Sequence, residues 1–174
     1  TEAFGYAADT VGIASESVVK ALSVLSYCAG INGMIGGQVI DILSEGKSLP
    51  YNELCEMYSA KTGALIISAA QIGCILAGRE DLLKNATAYA EKIGLAFQIM
   101  DDVLDVTADE KQLGKPVHSD EKNDKRTFCS FYSIEECKNM INELTESAIK
   151  ELDAFGGDTA FLTDLAHYLA ERKY

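Results

Sequence analysis

FQIMDDVLDV, residues 97–106, places three aspartates in an otherwise apolar pattern. Apolar residues recur at helical spacing across residues 81–106, so we predict one long helix there. Asp101 and Asp105 are four residues apart and share a face of that helix, with Asp102 beside them. Like charges at this spacing destabilise a helix by about 0.2–0.5 kcal/mol per pair, and the last turns of a helix also disfavour anions. Some other interaction must offset this cost.

A divalent cation would turn this repulsion into attraction, because Mg²⁺ binds a few carboxylates together with water and substrate phosphates. A solvated acidic helix end is the alternative, and the three aspartates alone leave it open. The polar loop that follows carries Lys115, Lys122, Lys125 and Arg126. A metal–diphosphate complex between the aspartates and these cations would account for both features. A mixed-charge surface loop would account for the loop equally well.

Helical periodicity dominates outward from this stretch, and no segment alternates for long enough to form a sheet. Ser133 and Glu136 form an S-x-x-E capping box, which indicates a helix start. We predict an all-α fold in a single undivided domain. The predicted helices cover about residues 1–9, 15–30, 31–43, 50–61, 62–77 (as a continuation or a new helix), 81–106, 133–155 and 159–172.

Charge and cysteine content exclude several classes of function. With 27 acidic and 15 basic residues the net charge is -12, which disfavours nucleic acid and anionic membrane surfaces as partners. The five cysteines are an odd number without CxxC spacing, so we expect reduced thiols in a cytoplasmic protein. Residues 21–40 and 62–78 lack charge, but Ser, Gly, Asn and Gln dilute them. We therefore expect buried helices and no integral membrane segment.

Several motifs together resemble a known family. FQIMDDVLDV, followed by LGKP (113–116), SD and KNDKRTF (122–128), resembles the second aspartate-rich region of the trans-isoprenyl diphosphate synthases, or polyprenyl synthetases. GMIGGQVIDI (33–42), KTGALI (61–66) and LAERKY (169–174) resemble further motifs of the family in the same order. KTGALI is most similar to the farnesyl and geranylgeranyl diphosphate synthase branch. The resemblance implies an isoprenoid-synthase-type helical bundle and Mg²⁺-dependent, head-to-tail 1'-4 condensation of isopentenyl diphosphate with an allylic diphosphate.

The resemblance also implies residues that hold the metal–diphosphate complex. Aspartates of the long helix would coordinate Mg²⁺ shared with the allylic diphosphate, with one support and one contact through water. Lysines before and after that helix would contact diphosphate oxygens. The residues with these implied roles are Asp101, Asp102, Asp105 and Asp120 for the metal, and Lys61, Lys115 and Lys125 for the diphosphate.

Further implied roles concern the reacting end of the substrates. The hydroxyl and amide dipoles of Thr62 and Gln98 would face a developing carbocation. An aromatic side chain would lie along isopentenyl diphosphate, and basic residues of the C-terminal tail would close over the site. The implied substrate-binding residues are Phe97, Gln38, Asp41, Arg172 and Lys173, although Gln38 and Asp41 also fit a buried, hydrogen-bonded pair.

The family's first aspartate-rich motif and its paired arginines have no counterpart in this sequence, and His118 stands where many relatives have Gly. We therefore expect residues 1–174 to be the C-terminal part of a single prenyltransferase domain whose N-terminal helices are missing. Alone, it would form half a site without useful turnover. The expected partners are the two diphosphate substrates and either a second copy, in a homodimer, or the missing N-terminal half.

Two other classes of function remain open. One is a non-catalytic subunit or interaction partner of a complete prenyl diphosphate synthase, which would bind that synthase tightly and diphosphates weakly. The other is a terpene cyclase or head-to-head synthase, which shares helical folds and aspartate motifs. The GKP and KTGALI motifs argue against the second alternative.

Overall fold

The computed structural model describes residues 2–107 and 125–172, and these residues form helices with no β-strand among them. The predicted all-α fold is confirmed. The α-helices of the described ranges are α1 (Glu2–Ala8), α2 (Ser15–Ala29), α3 (Met34–Leu43), α4 (Tyr51–Tyr58), α5 (Ala64–Leu76), α6 (Leu83–Thr107), α7 (Ile134–Glu151) and α8 (Ala160–Glu171).

Helix α6 lies at the centre of the fold and carries the aspartate stretch. It packs against α5 on one side and α7 on another, and α8 also contacts it. Ile99 and Val103 of α6 are almost fully buried with Phe128 and with Ile141 of α7. Each such side chain contributes about 1.5–3 kcal/mol of hydrophobic free energy. The end of α6 is therefore anchored from several directions, which fixes the backbone that bears the aspartates.

The capping box predicted at the start of α7 is present. The Ser133 hydroxyl accepts a hydrogen bond from the backbone N–H of Glu136, and the Glu136 carboxylate accepts one from the Ser133 N–H. At its other end, the predicted helix 133–155 changes to a 3₁₀ turn, Leu152–Phe155, before Gly156. Gly156 has a φ of 65°, a left-handed conformation that favours glycine at a helix end.

One turn of π-helix, Ser59–Gly63, joins α4 to α5, where the sequence predicted either a continuous helix or a break. Single π turns inside α-helices are frequent at functional sites. This turn lies against α3 at Gly37, where an added Cβ would sit 2.2 Å from the Lys61 backbone nitrogen and 2.6 Å from its Cα. Only glycine allows this approach, so Gly37 determines where the backbone of Lys61 lies.

The segments Ser15–Leu43 and Tyr51–Leu76 are long and apolar enough to cross a membrane by length and composition, a test that core helices of globular proteins also pass. Only 22% of the most apolar window of each is buried, so much apolar surface faces outward. However, Asp41 of the first segment forms an ion pair with Lys61 of the second. This ion pair lies where the two segments pack against each other.

Substitution of Gly37 tests the close approach between α3 and the π turn. We expect Gly37→Ala to destabilise the fold by about 1–3 kcal/mol, because the added methyl group forces the backbone at Lys61 to move. Gly73→Ala is the matched control, since that helical position in α5 has nothing within 4 Å of the added Cβ. Alanine there should be neutral or stabilising by about 0.5–1 kcal/mol. Thermal unfolding monitored by circular dichroism compares the stabilities of the two variants. Equal stabilities would contradict the close approach of Gly37 to the backbone of Lys61.

Candidate functional site

Three elements that are distant in sequence meet at the Asp41 carboxylate. Asp41, at the end of α3, is only 6% exposed. Its Oδ2 accepts a hydrogen bond from Lys61 Nζ at 2.5 Å, and its Oδ1 accepts one from Lys125 Nζ at 2.9 Å. Burial alone would raise the pKa of Asp41, but the two ammonium groups outweigh burial and hold this pKa below its usual value. Asp41 is therefore a buried anion that positions two lysines.

A second carboxylate, that of Glu45, forms an ion pair with Lys125. Glu45 Oε1 lies 3.4 Å from Lys125 Nζ. Burial alone would lower the pKa of Lys125, but the hydrogen bonds and charges of Asp41 and Glu45 raise it above its usual value. Lys125 therefore stays charged at physiological pH.

Lys61 and Lys125 line a polar cavity in which positive charge predominates. Its ionisable walls comprise four basic and two acidic side chains, although the whole chain has a net charge of -12. Such a local excess of positive charge favours an anionic ligand. The ionisable side chains that line this cationic cavity are Lys47, Lys61, Lys125, Arg126, Asp41 and Asp102.

Asp102 has the contacts of a structural residue. Its carboxylate, 3% exposed, accepts hydrogen bonds from the Tyr58 hydroxyl at 2.9 Å and from the backbone N–H of Phe128 at 2.8 Å. These bonds join α6 to α4 and to the segment that contains Lys125. The metal role predicted for Asp102 stays a prediction, whereas its support of the surrounding structure is visible. Tyr58, which the sequence analysis did not select, lies one helical turn before Lys61.

Asp101, next to Asp102 on α6, contacts the end of the described chain. Its Oδ1 is 2.7 Å from Nη2 of Arg172, and its side chain is 32% exposed. The same Arg172 nitrogen donates a hydrogen bond to the backbone oxygen of Phe97, and the guanidinium stacks on the Phe97 ring. Asp105, one turn beyond Asp101 on α6, is 6% exposed. Phe97, Asp101 and Asp105 thus follow one face of α6.

The chemistry of these aspartates suits a Mg²⁺ ion that is also coordinated by a substrate phosphate. Within residues 2–107 and 125–172, no group of three or more His, Cys, Asp or Glu side chains could hold a metal ion. Mg²⁺ is usually held by one or two carboxylates plus water and substrate phosphates, and rarely by an all-protein cage. Asp101 and Asp105, on the same helix as the cavity-lining Asp102, have the donor chemistry that this mode of binding requires.

Two further predicted residues lie in contact with each other at the cavity. The Thr62 hydroxyl donates a hydrogen bond of 2.9 Å to the side-chain oxygen of Gln98, and Gln98 lines the cavity. Gln38 is half-buried on α3, one turn before Asp41. The remaining predicted site residues, Lys115, Asp120 and Lys173, lie outside the described residues.

Comparison with known proteins places the chain in a family. Residues 3–156 match the family described as Polyprenyl synthetase. The chain is 36% identical to geranylgeranyl diphosphate synthase of Cyanophora paradoxa over 95% of its length, and 36% identical to farnesyl diphosphate synthase of Haemophilus influenzae over 98%. The chain therefore belongs to the polyprenyl synthetase family, and the resemblance found in its motifs is confirmed.

A solved structure agrees with this assignment. Geranyltransferase of Helicobacter pylori, in complex with magnesium and isoprenyl diphosphate, matches 95% of this chain with a TM-score of 0.78 and 31% identity. That match covers 55% of the Helicobacter chain. This chain likewise spans 56% of the Cyanophora enzyme and 59% of the Haemophilus enzyme. It therefore corresponds to little more than half the length of these relatives.

The lowered pKa of Asp41 predicts a specific acid sensitivity. Ionised Asp41 stabilises the fold above its usual pKa of about 4, and this stabilisation is lost as the pH falls through the lower folded-state value. We expect Asp41→Asn to cost about 2 kcal/mol at pH 7, because two lysines lose a charged acceptor. The difference from wild type should shrink as the pH drops below about 4. Urea unfolding across this pH range measures the free energy of unfolding of both proteins.

The control for this experiment is Asp153→Asn, which removes one exposed negative charge from the 3₁₀ turn after α7. The free energy of unfolding of this variant should follow that of the wild type at every pH. An Asp41→Asn deficit that stays constant down to pH 2.5 would contradict the assigned role of the carboxylate.

Proposed function

We propose that this chain supplies the second aspartate-rich region and the lysines of an isoprenyl diphosphate synthase. The enzyme would join isopentenyl diphosphate to an allylic diphosphate by a head-to-tail 1'-4 condensation. The observation that carries the proposal is the cationic cavity of an otherwise acidic chain, which is lined by Asp102 of the aspartate stretch and by Gln98 of the same helix. The names of the related farnesyl and geranylgeranyl diphosphate synthases support the same substrate class.

In this proposal the lysines bind the diphosphate of the allylic substrate. Lys61 and Lys125 both line the cavity and are both held by Asp41, so their ammonium groups are pre-positioned. Preorganised cations stabilise negative charge as it develops on a leaving group, without reorganisation during the reaction. Lys115, from the loop outside the described residues, would add a third cation. No protein nucleophile is required.

Asp101 and Asp105 would hold Mg²⁺, with Asp102 supporting the helix end that carries them and Asp120 joining through water. Bound there, the ion would neutralise charge on the departing pyrophosphate. Two carboxylates on one face of α6 leave the remaining coordination positions to water and phosphate oxygens, as Mg²⁺ prefers.

The reaction then follows from the arrangement around Thr62 and Gln98. The C1–O bond of the allylic diphosphate breaks and its electron pair leaves with pyrophosphate. The double bond of isopentenyl diphosphate attacks the resulting cation, and loss of a proton forms the new double bond. The Thr62–Gln98 pair would direct hydroxyl and amide dipoles toward the cation. The apolar helices α5 and α6 would exclude water that would otherwise quench it.

Binding of the allylic substrate tests the metal role of α6. We expect Asp101→Asn and Asp105→Asn each to weaken Mg²⁺-dependent binding of geranyl diphosphate to this chain by about 10- to 100-fold. Each variant loses a ligand worth about 1.5–3 kcal/mol. Glu143→Gln, an exposed position of α7, makes the same charge change away from the site and should bind as the wild type does. Isothermal titration calorimetry with and without Mg²⁺ measures the affinities. Wild-type binding that is indifferent to Mg²⁺ would contradict the proposal.

A product assay separates this function from the alternatives. An isoprenyl diphosphate synthase lengthens the allylic diphosphate only when isopentenyl diphosphate is present, whereas a terpene cyclase releases pyrophosphate without it. A non-catalytic subunit forms no product alone but binds a complete synthase tightly. The outward apolar surface of α2 and α3 favours this last function as the second candidate. The expected lack of turnover by the isolated chain, and its cytoplasmic location, remain predictions.

A further inference from the structure

Arg172, the last residue that the structure describes, contacts α6 at three points. Its Nη2 lies 2.7 Å from Asp101 Oδ1 and donates a 3.0 Å hydrogen bond to the backbone oxygen of Phe97. Its guanidinium carbon is 3.7 Å from the centre of the Phe97 ring. The Arg172 side chain is 12% exposed and that of Asp101 is 32% exposed, so the contact is partly shielded from water.

The geometry of these contacts requires an arginine. Phe97 and Asp101 are four residues apart on α6 and lie one above the other on the same face. A planar guanidinium can stack on the ring of one while one of its terminal nitrogens, Nη2, reaches the carboxylate of the other. A lysine ammonium carries the same charge but has neither the plane nor the fork. Arg172 thus joins the end of α8 to the turn of α6 that begins the aspartate stretch.

We infer that Arg172 is a positioning residue for the Asp101 carboxylate, an inference that rests on the proposed function. Arg172 holds Oδ1, while no residue of the described ranges bonds Oδ2, which remains available to a metal–diphosphate complex. The substrate contact that the sequence implied for Arg172 does not explain why its guanidinium is already engaged by Phe97 and Asp101. In this arrangement Arg172 acts on the substrate only through Asp101.

Arg172 could instead compete with the metal for the Asp101 carboxylate, and this would have the opposite effect on Mg²⁺ affinity. A cation beside a carboxylate reduces its attraction for Mg²⁺, so competition predicts that removing Arg172 strengthens metal binding. Three features favour positioning instead. The contact is partly buried, three interactions hold it, and it uses only one of two carboxylate oxygens. Partners that orient metal-binding carboxylates in this way typically contribute about 10- to 100-fold to metal affinity.

The test is a calorimetric titration of the chain with Mg²⁺ at a fixed concentration of inorganic pyrophosphate. We expect Arg172→Gln to weaken Mg²⁺ binding about tenfold and Arg172→Lys to have an intermediate effect. Arg79→Gln is the matched control, because Arg79 forms an exposed ion pair with Asp81 away from the site. Its Mg²⁺ affinity should equal that of the wild type.

The other possible outcomes distinguish failure of this inference from failure of the proposed function. Equal or stronger Mg²⁺ binding by a folded Arg172→Gln chain overturns the inference and leaves the proposed function standing. A wild type that does not bind Mg²⁺ and pyrophosphate together overturns both. If Arg172→Gln does not fold, Arg172→Lys decides, since unchanged affinity in that variant contradicts positioning. In an Asp101→Asn background, Arg172→Gln should have no further effect, and a full additional loss would show that it acts elsewhere.

Discussion

The buried carboxylate of Asp102 is the contact on which the arrangement of the site depends. It sits inside the helix bundle, where an ionised group is costly unless it is fully hydrogen-bonded. The Tyr58 hydroxyl and the backbone N–H of Phe128 provide those bonds. Tyr58 leads directly into the π turn that carries Lys61, and Phe128 follows shortly after Lys125. One carboxylate therefore fixes the relative positions of the central helix and of the two lysines.

Asp41, on α3, completes this arrangement. It pairs with both lysines, and Gly37, one turn earlier on α3, allows the π turn to approach closely enough for the contact. The result is a strongly acidic chain with a local excess of positive charge beside two aspartates of α6. This separation of charge over a short distance suits a ligand that is itself a metal–diphosphate complex, because each part of the ligand meets the opposite sign.

The sequence predicted the elements of this site better than their contacts. Helical spacing identified α6 and placed Asp101 and Asp105 on one face, and the S-x-x-E pattern located the start of α7. Spacing alone does not reveal which of two adjacent aspartates faces the core, because that depends on Tyr58 and Phe128, which are distant in sequence. The π turn was also missed, because the local sequence does not show that Gly37, distant in sequence, packs against it. Likewise, the stacking of Arg172 on Phe97 joins residues 75 positions apart.

The measurement that tests the account most directly is the location of a metal ion in crystals of this chain. Mn²⁺ accepts the same oxygen ligands as Mg²⁺ and scatters anomalously, so crystals grown with Mn²⁺ and inorganic pyrophosphate would reveal its position. We expect an anomalous peak within about 2.2 Å of carboxylate oxygens of Asp101 and Asp105, with pyrophosphate between the metal and the lysines. A peak bound elsewhere, or pyrophosphate bound away from Lys61 and Lys125, would contradict it.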